Sequence, residues 1–324
     1  MSRAFKAVRL NAQTYPVEAA ERAELDRAGA ELVAIEGQRP DEIVEAAADC
    51  DALLVISSGV PASVIGAMGR CRVIGRLGAG TDKIAVDEAT RRGIVVANVP
   101  DFCVNELAEH AMALLLSWTR RLPYMTAQMR LGNWNARHHP GVHRLPGQTL
   151  GLVGFGNSAV ALAQRAMPFG LRILAWVRDA GRYREKAAAM GVELVDFNRL
   201  LAGSDILSIH IPLTAGTRHL IGAGELGKMK PTALLINTAR GAIVDEAALV
   251  EALREGRIGG AALDVFEGLD VFGLPGPPPR HPLLELDNVI LTPHSGGSSV
   301  ESSLDSDRKS TRLNSQSHLN LVCR

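Results

Sequence analysis

One stretch decides the fold of this chain, TLGLVGFGNSAVALA at residues 149–163. It begins with an aliphatic run that suits a buried strand and ends in a helical pattern. Between the two, Gly154 permits a tight turn, Gly156 lets a pyrophosphate approach the backbone, and Ala159 allows close packing of helix on strand. A phosphate placed there meets the N–H groups and the dipole of the helix N-terminus. The stretch predicts a dinucleotide-binding turn; an ordinary glycine-rich turn is the alternative.

Short aliphatic runs alternate with helical segments on both sides of this stretch. One series covers residues 32–97, and a second covers residues 149–291. Such alternation is typical of parallel strands joined by crossover helices. A helical pattern at residues 105–120 is long enough to connect the two series. We therefore predict an α/β protein with two doubly wound parallel sheets.

Length and composition exclude several classes of function. The chain has 324 residues, 47% of them hydrophobic, so two globular domains of ordinary size are expected. Lysine plus arginine equals aspartate plus glutamate at 35 each, and the four cysteines lack metal-ligand spacing. No apolar run reaches the roughly 18 residues of a membrane span, and no signal-peptide core follows the first residues. We expect a cytoplasmic protein that binds a small molecule, with no metal, no nucleic acid and no membrane.

The strand after the glycine turn bears on which nucleotide binds. It is expected to end at Trp176-Val177-Arg178, so that Val177 stands where an NAD-binding fold normally offers an acid to the ribose hydroxyls. Arg178 is suited instead to a 2′-phosphate. This pattern favours NADP over NAD. If the strand ends one residue away, Asp179 takes the ribose and NAD is favoured.

Further motifs resemble those of the D-isomer-specific 2-hydroxyacid dehydrogenase family, which includes phosphoglycerate dehydrogenase and the glyoxylate/hydroxypyruvate reductases. Besides the glycine turn they are LGAGTD at 77–82, NVP at 98–100, ELAEH at 106–110, HIPLT at 210–214, NTARG at 237–241, ALDVF at 262–266 and TPHSGG at 292–297. The resemblance implies an oxidoreductase that transfers a hydride between NAD(P)H and the keto carbon of a small 2-keto acid. Substrates of the glyoxylate, hydroxypyruvate or 3-phosphoglycerate type are implied.

The resemblance also assigns residue roles. The Arg240 position binds the substrate carboxylate and keto oxygen, and the His294 position is the acid/base. The reaction itself requires groups of these kinds. Hydride addition builds negative charge on the keto oxygen, and a cation and a proton donor stabilise that charge. Expected substrate contacts are Ser58 and the backbone of Gly78, Ala79 and Gly80. Expected cofactor contacts are Gly154, Gly156, Asn157, Ser158, Arg178, Pro212, Thr217, Thr238 and Asp264, the last at the nicotinamide amide.

One position departs from the family pattern. The family has a glutamate five residues after the Asp264 position, paired with the histidine, whereas this chain has Leu269 there. Glu267 or Asp270 is expected to replace it beside His294 if the loop is rearranged, and we take Glu267 as the third catalytic candidate. The alternative is that both are solvated loop acids.

The resemblance implies a flavodoxin-like substrate domain at 1–100 and 292–306, a Rossmann NAD(P)-binding domain at 101–291, and a homodimer with residues 105–134 at its interface. Residues 307–324 are polar and aperiodic and resemble a translated sequencing adapter, so we predict a non-native tail. Two alternative functions stay open. One is an NAD(H)-binding, corepressor-like sensor without significant turnover, and the other is an inactive truncated product.

Overall fold

Two α/β units divide the chain in the computed structural model, which describes residues 5–135, 142–269, 271, 279–311 and 320–321. The first unit contains the described residues up to Cys103 and from Ser298 onwards. The second contains the described residues between Val104 and Gly297. The segment 292–297 was predicted to return to the first domain, and the structure assigns it to the second unit. The reason is that this segment follows the last strand of the second sheet and is hydrogen-bonded to Asp264, at the end of the neighbouring strand.

The helices and strands follow the predicted alternation over residues 32–97 and 149–291, and the structure adds three strands that were not predicted, at Phe5–Arg9, Glu193–Leu194 and Asn320–Leu321. The strands are β1 (Phe5–Arg9), β2 (Ala30–Ala34), β3 (Ala52–Val55), β4 (Val73–Arg76), β5 (Val95–Asn98), β6 (Thr149–Val153), β7 (Arg172–Trp176), β8 (Glu193–Leu194), β9 (Ile206–Ile209), β10 (Leu234–Asn237), β11 (Gly260–Leu263), β12 (Val289–Leu291) and β13 (Asn320–Leu321). The helices are α1 (Ala19–Arg27), α2 (Pro40–Ala47), α3 (Ala62–Ala67), α4 (Val86–Arg91), α5 (Val104–Thr119), α6 (Leu122–Arg130), α7 (Asn157–Ala166), α8 (Ala180–Ala189), α9 (Phe197–Gly203), α10 (Ala223–Leu226), α11 (Glu246–Arg254) and α12 (Val300–Thr311).

The first unit is a flavodoxin-like α/β sandwich. Its sheet has the strand order β13-β5-β4-β3-β1-β2, in which β1 to β5 are parallel and β13 pairs antiparallel with β5. The run β2-β1-β3-β4-β5 is the flavodoxin-like order of doubly wound sheets. The central strand β3 is buried along its whole length, since helices cover both faces of such a sheet.

The second unit has the Rossmann topology. Its sheet has the strand order β12-β11-β10-β9-β6-β7-β8, and every described pairing in it is parallel. Counted from β6, this is the dinucleotide-binding order. Its two apolar cores lie on opposite faces of the sheet, one built with α5 and α7 and the other with α9 and α11. The predicted fold class of two doubly wound parallel sheets is therefore confirmed.

The last helix and the last strand extend into the segment that is predicted to be a non-native tail. The predicted non-native tail begins at Asp307, but the backbone of α12 continues through this residue to Thr311. The backbone of β13 then extends the first sheet. Residues 312–319 and 322–324 of the predicted tail lie outside the described part of the chain. Within that part, no helix has both the length and the apolar character of a membrane-spanning segment.

Replacing Gly260 by Ala tests the packing of α5 on the second sheet. A Cβ at Gly260 would overlap the indole of Trp118. We therefore expect the free energy of unfolding to fall by about 1–3 kcal/mol, the usual cost of overpacking a core. Urea unfolding followed by circular dichroism measures this change. Gly216→Ala is the control, because a Cβ there has no atom within 4 Å; equal loss in both variants would contradict the prediction.

Candidate active site

One edge of the second sheet gathers most of the predicted site residues. Because its strands are parallel, their carboxyl ends share this edge, and the segment after each strand begins there. β6 lies between β7 and β9, so the order in which successive strands join the sheet reverses at β6, and ligands bind at such a switch point in open α/β sheets. The segments that begin there carry Gly154 after β6, His210 after β9, Arg240 after β10, Asp264 after β11 and His294 after β12.

The glycine turn has the shape that a bound pyrophosphate requires. Gly154 has a φ of +99°, and a Cβ there would lie 2.7 Å from the carbonyl oxygen of His210. Gly156 precedes α7 with no side chain capping the helix, and a Cβ there would meet no atom within 4 Å. Ala159 is fully buried, so the helix packs closely on the strand. The turn thus leaves open space at the start of α7, as the sequence predicted.

His210 links the glycine turn to β9 through its side chain. Its Nδ1 lies 3.1 Å from the Ser158 hydroxyl, and its Nε2 lies 2.9 Å from the Ser208 hydroxyl. Desolvation lowers the pKa of His210 to about 4, so the ring is neutral at pH 7. Ser158 was predicted as a cofactor contact, and the structure gives its hydroxyl this bond to His210.

The turn that carries Arg240 is held by Asn237 at the end of β10. The Asn237 amide donates to the Arg240 carbonyl at 2.8 Å, and its oxygen accepts the Ala239 N–H at 3.0 Å. Arg240 is half-buried, and its Nη1 donates to the Ala239 carbonyl at 2.7 Å. A Cβ at Gly241 would overlap the backbone of Phe266, so the turn packs directly on the segment after β11. Sequence reasoning missed Asn237, which the NTARG motif contains.

Asp264 organises the loop that carries His294. Its buried carboxylate accepts the Thr292 hydroxyl at 2.6 Å, the Ser295 N–H at 2.9 Å and the Gly296 N–H at 2.8 Å. Burial alone would raise the pKa of Asp264, but these bonds and the nearby His110 side chain bring it below its usual value. The Asp264 side chain, predicted to contact the nicotinamide, therefore anchors the loop 292–296.

His294 stands at the turn of this loop. Its φ is +53°, in the left-handed region that non-glycine residues rarely adopt. Its N–H donates to the Asp264 carbonyl at 2.8 Å and to the Thr292 carbonyl at 3.1 Å. Strained backbone of this kind persists only where the surroundings determine it, and such positions cluster at functional sites.

Glu267 binds partners other than the predicted one. Its carboxylate accepts from Arg218 Nη1 at 2.8 Å and lies 2.8 Å from His219 Nε2. Its N–H donates to Glu246 Oε2 at 3.0 Å. The structure thus directs this carboxylate to Arg218 and His219 and away from the role predicted beside His294. Asp270, the other candidate for that role, lies outside the described residues.

In the first unit, the glycine loop after β4 offers two of the three predicted N–H groups. The Gly78 N–H donates to the Arg76 carbonyl at 2.8 Å, so it is already engaged. The N–H groups of Ala79 and Gly80 have no acceptor within the described part of the chain. Arg76 braces this loop from inside, since its Nε donates to the Gly80 carbonyl at 3.0 Å. Two adjacent N–H groups suit a carboxylate.

The hydroxyl of Ser58, the other predicted substrate contact, makes two hydrogen bonds within the first unit. Its hydroxyl donates to the Gly37 carbonyl at 2.7 Å and accepts the Asn11 amide at 2.7 Å. The Asn11 oxygen also accepts the backbone N–H groups of Ser57 and Ser58. Asn11 is buried, and its sequence surroundings carry no motif that marks it. Ser58 is therefore tied into the first unit by a residue that sequence reasoning missed.

The remaining predicted cofactor contacts lie on segments at the same edge of the second sheet. Thr217 donates to the Pro212 carbonyl at 2.7 Å and closes the loop after β9. Thr238 is buried after β10, and Asn157 is the first residue of α7. β7 ends at Trp176, and Arg178 is exposed just beyond it. Among the described residues, no three His, Cys, Asp or Glu side chains come together as metal ligands.

Comparison with known proteins agrees with this geometry. Residues 112–296 match the profile described as D-isomer specific 2-hydroxyacid dehydrogenase, NAD binding domain. The chain is 43% identical over 268 residues to a D-3-phosphoglycerate dehydrogenase of Methanocaldococcus jannaschii, covering 82% of this chain and 49% of that protein. It is 42% identical over 263 residues to a glyoxylate reductase of Korarchaeum cryptofilum, covering 80% and 77%.

A solved structure is similar over almost the whole chain. The glyoxylate reductase from Paecilomyes thermophila superimposes with a TM-score of 0.83 and 30% identity, over 95% of this chain and 94% of that one. The phosphoglycerate dehydrogenase is a longer protein, and this chain spans about half of its length.

Replacing Gly156 by Ala tests whether the open space before α7 holds a dinucleotide. The backbone φ of −77° suits alanine, and the added Cβ meets no atom within 4 Å. We therefore expect Tm to stay unchanged while the Kd of the dinucleotide rises about tenfold or more, because the methyl group blocks the pyrophosphate. Titration calorimetry with NADPH and NADH measures the Kd.

Gly154→Ala is the matched comparison at the same turn. Its left-handed φ and the close His210 carbonyl predict a lower Tm as well as weaker binding. An unchanged Kd in Gly156→Ala would contradict the assignment of this turn to the dinucleotide.

Proposed function

The chain belongs to the D-isomer-specific 2-hydroxyacid dehydrogenase family, and we propose that it transfers a hydride between NAD(P)H and the keto carbon of a small 2-keto acid. Substrates of the glyoxylate, hydroxypyruvate or 3-phosphoglycerate type fit this chemistry. The observation that carries the proposal is the placement of Arg240 and His294 after β10 and β12, at the sheet edge that also bears the open glycine turn. The names of the relatives, which are reductases and dehydrogenases, support the same reaction.

The residues present fit a nicotinamide dinucleotide. Gly154 and Gly156 shape the turn that would hold its pyrophosphate, and the start of α7 would supply N–H groups and a favourable dipole. Asn157, Ser158, Pro212, Thr217 and Thr238 line the neighbouring segments and are proposed as further contacts. When bound, the cofactor supplies or accepts the hydride.

The protein's own groups handle the charge that this transfer creates. Arg240 binds the substrate carboxylate with its guanidinium fork and stabilises the negative charge on the keto oxygen. His294 gives its proton to that oxygen in reduction and takes one from the hydroxyl in oxidation. Ala79 and Gly80 are proposed to bind the carboxylate through their N–H groups. Gly78 and Ser58 are proposed as further substrate contacts; in this conformation the Gly78 N–H donates to the Arg76 carbonyl and the Ser58 hydroxyl donates to the Gly37 carbonyl.

We propose NADPH as the preferred cofactor. The residue after β7 is Val177, which offers no carboxylate to the ribose hydroxyls. Asp179, the alternative acid, caps α8 by accepting the Arg182 N–H at 3.3 Å. Arg178 is exposed and has no ion-pair partner in the described part of the chain, so its charge is available to a 2′-phosphate.

A homodimer is proposed as the working assembly, with residues 105–134 at its interface. Helix α6 buries none of its residues within the chain. Large apolar side chains are exposed in and just after it: Leu122, Tyr124, Met129, Leu131 and Trp134. Exposed apolar surface of this kind marks association sites.

We propose the cytoplasm as the protein's location. Cys50, Cys71 and Cys103 are free thiols, which supports a reducing compartment of this kind.

The two alternatives are less well supported. A binding-only sensor has no need of the strained His294 loop together with Arg240. The inactive product is not favoured either, because both units have buried apolar cores. Turnover by the folded protein separates the proposal from both.

The direct test is cofactor oxidation by the purified, folded protein with glyoxylate and hydroxypyruvate. We expect turnover, and we expect Arg240→Gln to lower kcat/KM about 100-fold or more, because the reacting oxygen loses a fixed cation. Arg254→Gln is the control, since Arg254 lies on α11 and is exposed. Cofactor binding without turnover of any 2-keto acid by the wild-type protein would favour the sensor.

The cofactor preference has its own test. Arg178→Gln is expected to raise the Kd of NADPH about tenfold, equivalent to roughly 1.4 kcal/mol, and to change that of NADH less than about twofold. Arg184→Gln, an exposed position on α8, is the matched control. If Arg178→Gln raises the Kd of NADPH and of NADH by the same factor, Arg178 does not bind the 2′-phosphate.

A further inference from the structure

His110, in the middle of α5, contacts the loop that carries His294. Its Nε2 lies 2.9 Å from the Thr292 hydroxyl oxygen and 3.5 Å from Asp264 Oδ1. Its ring also packs on the loop backbone, because a Cβ added at Gly296 would lie 3.1 Å from His110 Cδ2. A residue from a helix far away in the sequence therefore touches both ends of the segment 292–296.

The direction of these hydrogen bonds follows from counting protons. A hydroxyl has one proton, and Thr292 donates it to Asp264 at 2.6 Å. The same oxygen must then accept from His110, so His110 Nε2 carries a proton. The result is a directed chain in which His110 donates to Thr292 and Thr292 donates to Asp264.

The helix that carries His110 is a rigid support. Around His110, the side chains of Ala108, Ala111, Leu114 and Leu115 are buried in the core of the second unit. Half-buried His110 is thus fixed in position by its neighbours on α5. The loop, by contrast, has a left-handed backbone at His294 and depends on its hydrogen bonds to keep that shape.

We propose that His110 is a positioning residue for the reaction: through Thr292 and Asp264 it holds the loop 292–296 in the conformation that presents His294 to the substrate. His110 itself touches neither substrate nor cofactor in this role. The proposal rests on the proposed function, in which His294 is the acid/base. Its consequence is that losing the Nε2–H donor affects the chemical step more than the binding of either substrate.

Two substitutions separate hydrogen bonding from packing. His110→Leu removes the donor, whereas His110→Gln keeps an N–H at about the distance of Nε2. We expect His110→Leu to lower kcat about tenfold with both KM values within about twofold, and His110→Gln to restore kcat to within about threefold of wild type. His143→Leu, the same change at an exposed position, is expected to leave kcat unchanged.

Three kinetic results would overturn the proposal. One is a kcat for His110→Leu within about twofold of wild type. Another is equal impairment of folded His110→Leu and His110→Gln. The third is a rise in KM with kcat unchanged, which would indicate a binding role instead.

A second measurement does not depend on turnover. In protein labelled with ¹⁵N-histidine, we expect the His110 ring to carry its proton on Nε2. We expect the His294 ring signals to shift or broaden in His110→Leu but not in His110→Gln. If the wild-type protein reduces no 2-keto acid while these spectra change as expected, the proposed function fails and the positioning stands. Unchanged His294 signals in His110→Leu overturn the positioning, whatever the activity.

Discussion

The parallel register of the second sheet is the constraint on which the candidate site depends. Every strand from β12 to β8 runs in the same direction, so each delivers the residue that follows it to one edge. β10, β11 and β12 are neighbours, about 4.8 Å apart per step. This brings together segments that are widely separated in the chain. Helices bury both faces of the sheet, and a slip of one residue would move every side chain of β6 into the opposite core, where the packing is different.

A buried carboxylate then gives one of these segments a definite shape. Asp264 is 1% exposed, and an ionised group in that position is stable only if its oxygens are well bonded. Its hydrogen-bond donors come from Thr292, Ser295 and Gly296, on both sides of His294. The loop cannot relax at His294 without leaving the charge of Asp264 unsatisfied. The strained backbone at His294 is therefore a consequence of satisfying Asp264.

Local sequence patterns predicted the glycine turn, the segments that carry Arg240 and His294, and the strands other than β1, β8 and β13. They could do so because a turn, a strand end or a capping position depends on a few adjacent residues. The bonds of His110 to Thr292 and of Asn11 to Ser58 join residues 182 and 47 positions apart. The ELAEH and TPHSGG motifs contain His110 and Thr292, but neither motif indicates that the two side chains meet. The Gly78 N–H, predicted as a substrate contact, donates to the Arg76 carbonyl, and the motif does not indicate this bond. A glycine motif indicates where N–H groups lie, but not which of them already has an acceptor.

Glu267 was predicted to lie beside His294, and the structure shows what its carboxylate binds instead. Gly241, next to Arg240, packs against the Phe266 and Glu267 backbone with no room for a Cβ. On the other side, the Glu267 carboxylate is bound by Arg218 and His219, and the His219 N–H donates to the Ala242 carbonyl at 2.8 Å. The segment after β11 and the turn of Arg240 are thus one packed body. Turning Glu267 towards His294 would break its contacts with Arg218 and His219, and the packing around the turn of Arg240 would become looser. In this conformation the Glu267 carboxylate binds Arg218 and His219, and it does not take the place beside His294 that the resemblance assigns to the family glutamate.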